Sequence, residues 1–269
     1  MKFSVLLSIY HNEKPENLLQ SLDSVFAQTL RADEVILVKD GPLNEELYRV
    51  LEEYQDKYPE LKTVPLKENV GLGKALNEGL KHCSHAIVAR MDTDDICKAD
   101  RFEKQLTVFK NHPYIDVVSS WIDEFEGDIT NVLSTRKLPE NHSEIFAYGK
   151  KRCPVNHPVV MFKKNAVLAA GGYLHLPLFE DYYLWVRMLM NGAKFYNIQE
   201  SLLCFRTSPA MFMRRGGVKY AMTEVSFLWK MHKIGYVNFI STLKNIVIRF
   251  TVRIMPNFIR EYIYKRLLR

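Results

Sequence analysis

The sequence has no long oily run. No uninterrupted apolar stretch approaches the ~18–20 residues of a membrane-spanning helix, and no basic segment leads into an apolar core and cleavage site, so neither a spanning anchor nor export is expected. Cysteine is scarce. Cys83, Cys97, Cys153 and Cys204 stand far apart with no Cys-x-x-Cys pair, which excludes a zinc or disulfide framework and predicts reduced thiols in a cytoplasmic protein. Acidic residues are scarce in one region. Residues 206–269 hold 13 Lys/Arg against 2 Asp/Glu, a net of +11, whereas residues 1–205 carry a net of −5. That end is built to meet something anionic. The remainder is ordinary: 269 residues, 47% hydrophobic and 25% charged, enough for one large domain or a domain with an appendage.

The most informative stretch is Arg90-Met91-Asp92-Thr93-Asp94-Asp95, with three carboxylates in four residues directly behind the apolar run Ala86-Ile87-Val88-Ala89. The run reads as a short buried strand. Acids crowded at its exit repel one another, and a divalent cation would supply the missing positive charge. Oxygen donors suit Mg²⁺ or Mn²⁺, which take one or two protein carboxylates and complete the shell with water and substrate phosphate. Taken alone, Asp-x-Asp is equally an acidic solvated turn.

Its surroundings favour a site. Strands are predicted at 3–10, 34–38, 62–66 and 86–90, separated by helices at 16–28 and 44–57 and by one that opens at Gly71-Leu72-Gly73-Lys74. Such alternation predicts an α/β sheet, parallel for much of its extent, with ligands beyond the carboxyl ends of the strands. Those ends deliver Tyr10, Asp40 and Asp92–Asp95 to one rim. Asp40-Gly41 suits a nucleoside contact or a plain turn. The glycine-rich helix start offers backbone N–H groups and Lys74 to phosphate. Further on, a helix is predicted over 100–111, a strand over 115–122, an irregular polar flap over 123–152, and a strand after Asn156-His157-Pro158. Glu180-Asp181 opens an aromatic helix; the dipole alone favours acids there, and so does a general base.

Five segments taken together resemble the family 2 inverting glycosyltransferases of GT-A fold: Ser8-Ile9-Tyr10, Asp40-Gly41, Asn69 to Asn77, Ala89 to Asp95, and Glu180 to Trp185. The resemblance covers roughly residues 1–206, closest to bacterial O-antigen and capsule transferases. It implies a Rossmann-like mixed, mostly parallel sheet, with a catalytic domain at 1–205 (nucleotide half 1–100, acceptor half 101–205). It implies Tyr10 at the uracil, Asp40 on the uridine, Glu13 near ribose or base, and Ser8, Asn69, Lys74, Asn77 and Arg90 about the nucleotide-sugar. Asp92 would touch ribose or donor sugar, and Asp94 with Asp92 would hold Mn²⁺ or Mg²⁺, with Asp95 beside them. Asp181 would be the base, Glu180 would orient the acceptor, and His157 would lie near either sugar. Arg206, and Arg214 or Arg215, would reach the diphosphate. The implied reaction moves one hexose from a UDP-sugar, with inversion to a β-linkage. A Gln-x-x-Arg-Trp motif is lacking, which argues against a processive polymer synthase.

Residues 206–269 read as a separate basic amphipathic region. Ile240, Leu243, Val247, Phe250 and Ile254 share one helical face and Arg249 and Arg253 another. A second helix is predicted beyond Pro256. The pair suits peripheral binding at the cytoplasmic face of a membrane and hence an acceptor carried on a polyprenyl diphosphate; packing on the domain is the competing reading. Nucleic acid is not expected, since the segment matches no such module. The rival functions are a non-catalytic nucleotide-sugar binder and a Mg²⁺-dependent nucleotidyltransferase, which would leave Glu180-Asp181 without a role.

Overall fold

The computed structural model describes residues 1–208 and 216–255. Strands β1 (Phe3–Ile9), β2 (Glu34–Lys39), β3 (Leu61–Pro65) and β4 (Ile87–Arg90) form its parallel side in the order β3-β2-β1-β4. They read as nearly continuous apolar runs because helices cover both faces. Successive residues still alternate: Val5 and Leu7 face helices α1 (Pro15–Phe26), α2 (Glu45–Lys57) and α4 (Arg101–Asn111), while Leu6 faces the other layer. That layer holds α3 (Leu72–His82), α5 (His142–Tyr148), α6 (Lys164–Ala169) and α7 (Glu180–Met190). Helix starts follow local chemistry. Pro15 opens α1, and Asn44 caps α2 by accepting from the Leu47 N–H at 2.9 Å.

Beyond β4 the sheet turns mixed. β8 (Met161–Lys163) runs antiparallel to both β4 and β6 (Val117–Phe125), and β6 pairs in parallel with β9 (Phe195–Arg206). The two-residue β5 (Ile96–Cys97) adds to β9 and thereby ties the acidic loop to the far edge of the sheet.

Two stretches differ from expectation. Residues 123–152 are not an irregular flap. β6 continues to Phe125, pairs with β7 (Val132–Arg136), and α5 follows with an Asn141–Glu144 capping box. The hairpin is held by polar pairs across it, Ser134 to Glu124 at 2.6 Å and Thr135 to Asp123 at 2.7 Å, so no apolar alternation marks it in the sequence. β9 carries no clear strand signal in the sequence because Gln199-Glu200-Ser201 interrupts its apolar residues, at the point where its register with β6 shifts.

The C-terminal helices α8 (Val218–Lys233) and α9 (Phe239–Ile254) form a hairpin. Phe227 of α8 stacks on Phe179 at 5.0 Å and packs on Tyr182 at 4.6 Å. No helix among the described residues is long and apolar enough to cross a membrane. The helix predicted after Pro256, with Arg214 and Arg215, lies outside the described residues.

Candidate active site

The acidic loop leaves β4 with its acids wedged between elements. Arg90 is fully buried and its Nη2 donates to Asp92 Oδ1. Behind the loop, buried Arg101 donates from Nη2 to the Arg90 carbonyl at 2.6 Å and from Nε to Gln105 at 3.1 Å. Thr93 Oγ1 donates to Glu13 Oε2 at 3.0 Å, which brings a fourth carboxylate to the group. Burial, then Asp92 and Glu13, push Asp94 up to about 7. Burial, then Asp94 and Asp92, hold Asp95 well above the carboxylate range.

No three His, Cys, Asp or Glu side chains converge as a ready metal cage among the described residues. The donor set nevertheless fits a hard divalent cation. It is all oxygen, it carries more negative charge than its neighbours offset, and buried Asp95 Oδ2 has no partner. Mg²⁺ and Mn²⁺ sites of this sort use few protein ligands.

At the end of β1, Ser8 is half-buried and Tyr10, just beyond it, is 39% exposed. Buried Asp40 accepts from the Val70 N–H at 2.7 Å and the Gly71 N–H at 3.1 Å, while Asn69 Nδ2 donates to the Asp40 carbonyl at 3.3 Å. Asp40 and Asn69 therefore set the shape of the glycine loop. Gly71 adopts φ +87°, which favours glycine. Gly73 is pinned by space: a Cβ would meet Glu180 Cγ at 3.2 Å.

That approach joins the two ends of the site. A cavity of about 500 Å³ is lined by Val70–Lys74 on one side and by His157, Tyr173, Glu180 and Asp181 on the other. Leu178, also in its wall, holds φ 72°, a costly conformation for a branched side chain just ahead of α7. Burial, with Asp181 beside it, raises Glu180. His157 Nε2 lies 3.0 Å from the Tyr173 hydroxyl. Burial and then the Arg90 charge push His157 down to about 4, against the pull of Asp181 and Asp92. One imidazole thus senses both acidic groups, and at neutral pH it is uncharged.

Two expected contacts have other partners. The Asn77 amide is engaged with the Tyr173 backbone, donating to its carbonyl at 2.7 Å and accepting from its N–H at 2.8 Å. It latches α3 to the wall that carries Tyr173 and His157 and leaves no free amide for a nucleotide. Arg206 packs over Phe125 at 4.7 Å; its Nε donates to the Asp94 carbonyl at 2.9 Å, its Nη2 to Gln20 at 2.6 Å, and its backbone N–H to Asp95 at 2.8 Å. It braces the acidic loop. Tyr173 escaped the sequence reading, since a tyrosine after Gly171-Gly172 signals only a helix stop.

The profile of Glycosyl transferase family 2 matches residues 4–168. The chain belongs to that family. It is 39% identical over 268 residues to an Escherichia coli protein named UDP-Gal:alpha-D-GlcNAc-diphosphoundecaprenol beta-1,3-galactosyltransferase, covering 100% of this chain and 97% of the relative. It is also 39% identical over 264 residues to the amylovoran biosynthesis glycosyltransferase AmsE of Erwinia amylovora, covering 98% of each. Among solved structures, S. aureus TarS 1–349 in complex with UDP-GlcNAc superposes with a TM-score of 0.69 at 17% identity, over 94% of this chain and 72% of that one. That likeness speaks for the fold, a GT-A sheet flanked by helices. The family 2 member described here is thus a glycosyltransferase enzyme.

Proposed function

We propose that this glycosyltransferase moves galactose from UDP-galactose to a GlcNAc carried on a polyprenyl diphosphate, in bacterial surface polysaccharide synthesis, forming a β-linkage. The observation that carries the mechanism is the position of His157, which lines one cavity with Asp181 and the glycine loop and feels the charges of Asp181, Arg90 and Asp92. A donor sugar between these groups would have its leaving diphosphate toward the acidic loop and its open face toward α7. Asp181 takes the proton from an acceptor hydroxyl as that oxygen attacks the anomeric carbon from the face opposite UDP. The bond to UDP breaks in the same displacement, so an α-linked donor gives a β-linked product. Glu180 orients the acceptor, and neutral His157, held by Tyr173, borders the reacting sugar. Tyr10, Asp40 and Lys74 flank the nucleotide, with Ser8, Glu13 and Asn69 shaping its surroundings. Asp94, with Asp92, would hold Mn²⁺ or Mg²⁺, which when bound offsets charge on the departing diphosphate as a Lewis acid.

Membrane contact belongs to the same reading, with one change from the sequence. Arg249 and Arg253 face inward, onto buried Glu224. The exposed face of α9 is instead oily, with Ile240 78%, Leu243 44%, Val247 65% and Ile254 50% exposed. These residues, with exposed Lys244 on the same helix and a sequence that carries a net of +11 over residues 206–269, suit the interfacial plane of an anionic bilayer. Sedimentation with anionic vesicles is the expected outcome; protein that stays wholly in the supernatant would sink this part.

The deciding experiment is transfer from a panel of UDP-sugars to a synthetic GlcNAc-diphosphate-lipid, with Mn²⁺ and with a chelator. Product from UDP-galactose alone, lost on chelation, supports donor and metal together. Product from another donor overturns the galactose assignment, and chelator-resistant product overturns the metal at Asp94.

A further inference from the structure

A second cavity, of about 350 Å³, lies where α7 meets the last turns of α8, lined by Tyr183, Ser226, Trp229, Lys230, Lys233 and Ile234. Among the described residues no carboxylate lines it. Lys230 Nζ stands 5.6 Å from the Tyr183 ring centre, and the Arg187 guanidinium carbon 4.8 Å from the same ring. Arg187 donates to the Ala170 and Gly172 carbonyls and brings no acid with it. The helix dipole accounts for lysines at the end of α8. It does not account for a hollow between them, nor for a further cation arriving from α7.

Position gives the cavity its meaning. Tyr183 follows Asp181 by two residues, roughly 3 Å of helical rise but about 200° of turn. The cavity therefore opens beside the same turn of α7 as the proposed base but on its other face, and a sugar with its diphosphate would have to reach round the first turn of α7 to join them. On its other side Trp229 meets Phe239 at 6.2 Å, and the exposed strip continues along α9 through Ile240 and Leu243. Proton acceptor, cationic hollow and oily strip thus come in sequence along α7, α8 and α9. An amphiphile with a sugar at one end, an anion in the middle and a hydrocarbon tail has the same order.

We propose that this cavity seats the diphosphate of the lipid-linked acceptor, with Lys230 and Lys233 as its cationic contacts and Trp229–Phe239 as the way out for the chain. This rests on the proposed acceptor. Lysine contacts to phosphate are charge-assisted, and their loss weakens ground-state binding without touching the displacement.

The test is the double variant K230Q/K233Q, assayed for transfer to GlcNAc-diphosphate-lipid and for inhibition by decyl diphosphate, which carries no sugar. KM for the acceptor and the inhibition constant should both rise by about tenfold or more, with kcat and UDP affinity unchanged, and K230R/K233R should restore both. An active wild type whose double variant keeps its KM and its inhibition overturns the site alone. A wild type that binds decyl diphosphate through these lysines, yet glycosylates no lipid diphosphate, overturns the acceptor and leaves an anionic-amphiphile site. Neither binding nor transfer in the wild type overturns both.

Discussion

The C-terminal hairpin and the acidic loop each bury a carboxylate, and they treat it in opposite ways. In the C-terminal hairpin Glu224 is 1% exposed and takes Arg253 Nε at 2.7 Å together with Arg249. Burial alone would raise it, but the Arg253 hydrogen bonds and both guanidinium charges hold it below the ordinary value. In the acidic loop buried Asp95 and half-buried Asp94 lie beside Asp92 and Glu13 and are pushed up, with Arg90 supplying only part of the charge. A carboxylate whose charge is matched inside the protein is a structural fastening. One left short of positive charge is waiting for something from outside. Composition hides the difference, because the acid-poor end is where the acid is best paired.

Substitutions can break that contrast. The largest effect belongs to the catalytic assignment: Asp181→Asn should lower turnover by roughly 10³-fold, within the usual range of general-base catalysis, with UDP affinity intact by calorimetry. Loss of both would make Asp181 a structural residue. Next, Glu224→Gln leaves two guanidinium groups without their carboxylate and should cost about 3–5 kcal/mol in a denaturant titration. Asp94→Asn should act in the opposite sense, raising the stability of metal-free protein by on the order of 1 kcal/mol while metal-dependent UDP binding disappears. If both variants destabilise alike, the contrast fails.

Acid should separate the groups again. Glu224, with a lowered folded pKa, contributes stability above its unfolded value of 4.5 and loses it as pH falls through the lower folded value. His157, neutral when folded, loses stability as pH falls from 6.5 toward about 4, where the unfolded chain binds a proton that the folded chain refuses. Asp94 runs the other way, since its raised folded pKa makes metal-free protein less stable as pH climbs from 3.8 toward about 7. Asp94→Asn should therefore flatten the upper part of the pH–stability curve and leave the acid limb in place. The smallest effect is spectroscopic: the His157 ring should show almost no protonation by NMR at pH 5.5, and a midpoint near 6.5 would separate it from the partial burial and the Arg90 charge that hold it down.

Much of this was legible in the sequence, for a physical reason. Strands buried on both faces are apolar throughout, so β1, β2 and β4 stand out, and the acids at their ends stand out against them. Family 2 membership and the GT-A sheet followed from those same stretches. What stayed hidden depends on partners distant in the chain. The periodicity of α9 separates oily residues from Arg249 and Arg253, but which face turns inward is decided by Glu224 on another helix. The Asn77 amide and the Arg206 guanidinium look available until Tyr173 and the Asp94 carbonyl are seen beside them. β7 and α5 rest on polar pairs that no hydrophobic pattern records.

The latch between Asn77 and Tyr173 has a consequence for kinetics. The Tyr173 N–H donates to Asn77 Oδ1 at 2.8 Å, across a seam between the helix that starts at the glycine loop and the wall that carries His157. Gly172 beside it has φ +64°, and a Cβ there would meet Asn77 Oδ1 at 2.6 Å, so the seam closes only around glycine. The Tyr173 N–H, together with the Asn77 amide that donates back to the Tyr173 carbonyl at 2.7 Å, therefore bridges the two sides of the cleft. Its solvent-exchange rate is a local clock, slow while the sides move as one body and fast whenever they part during turnover.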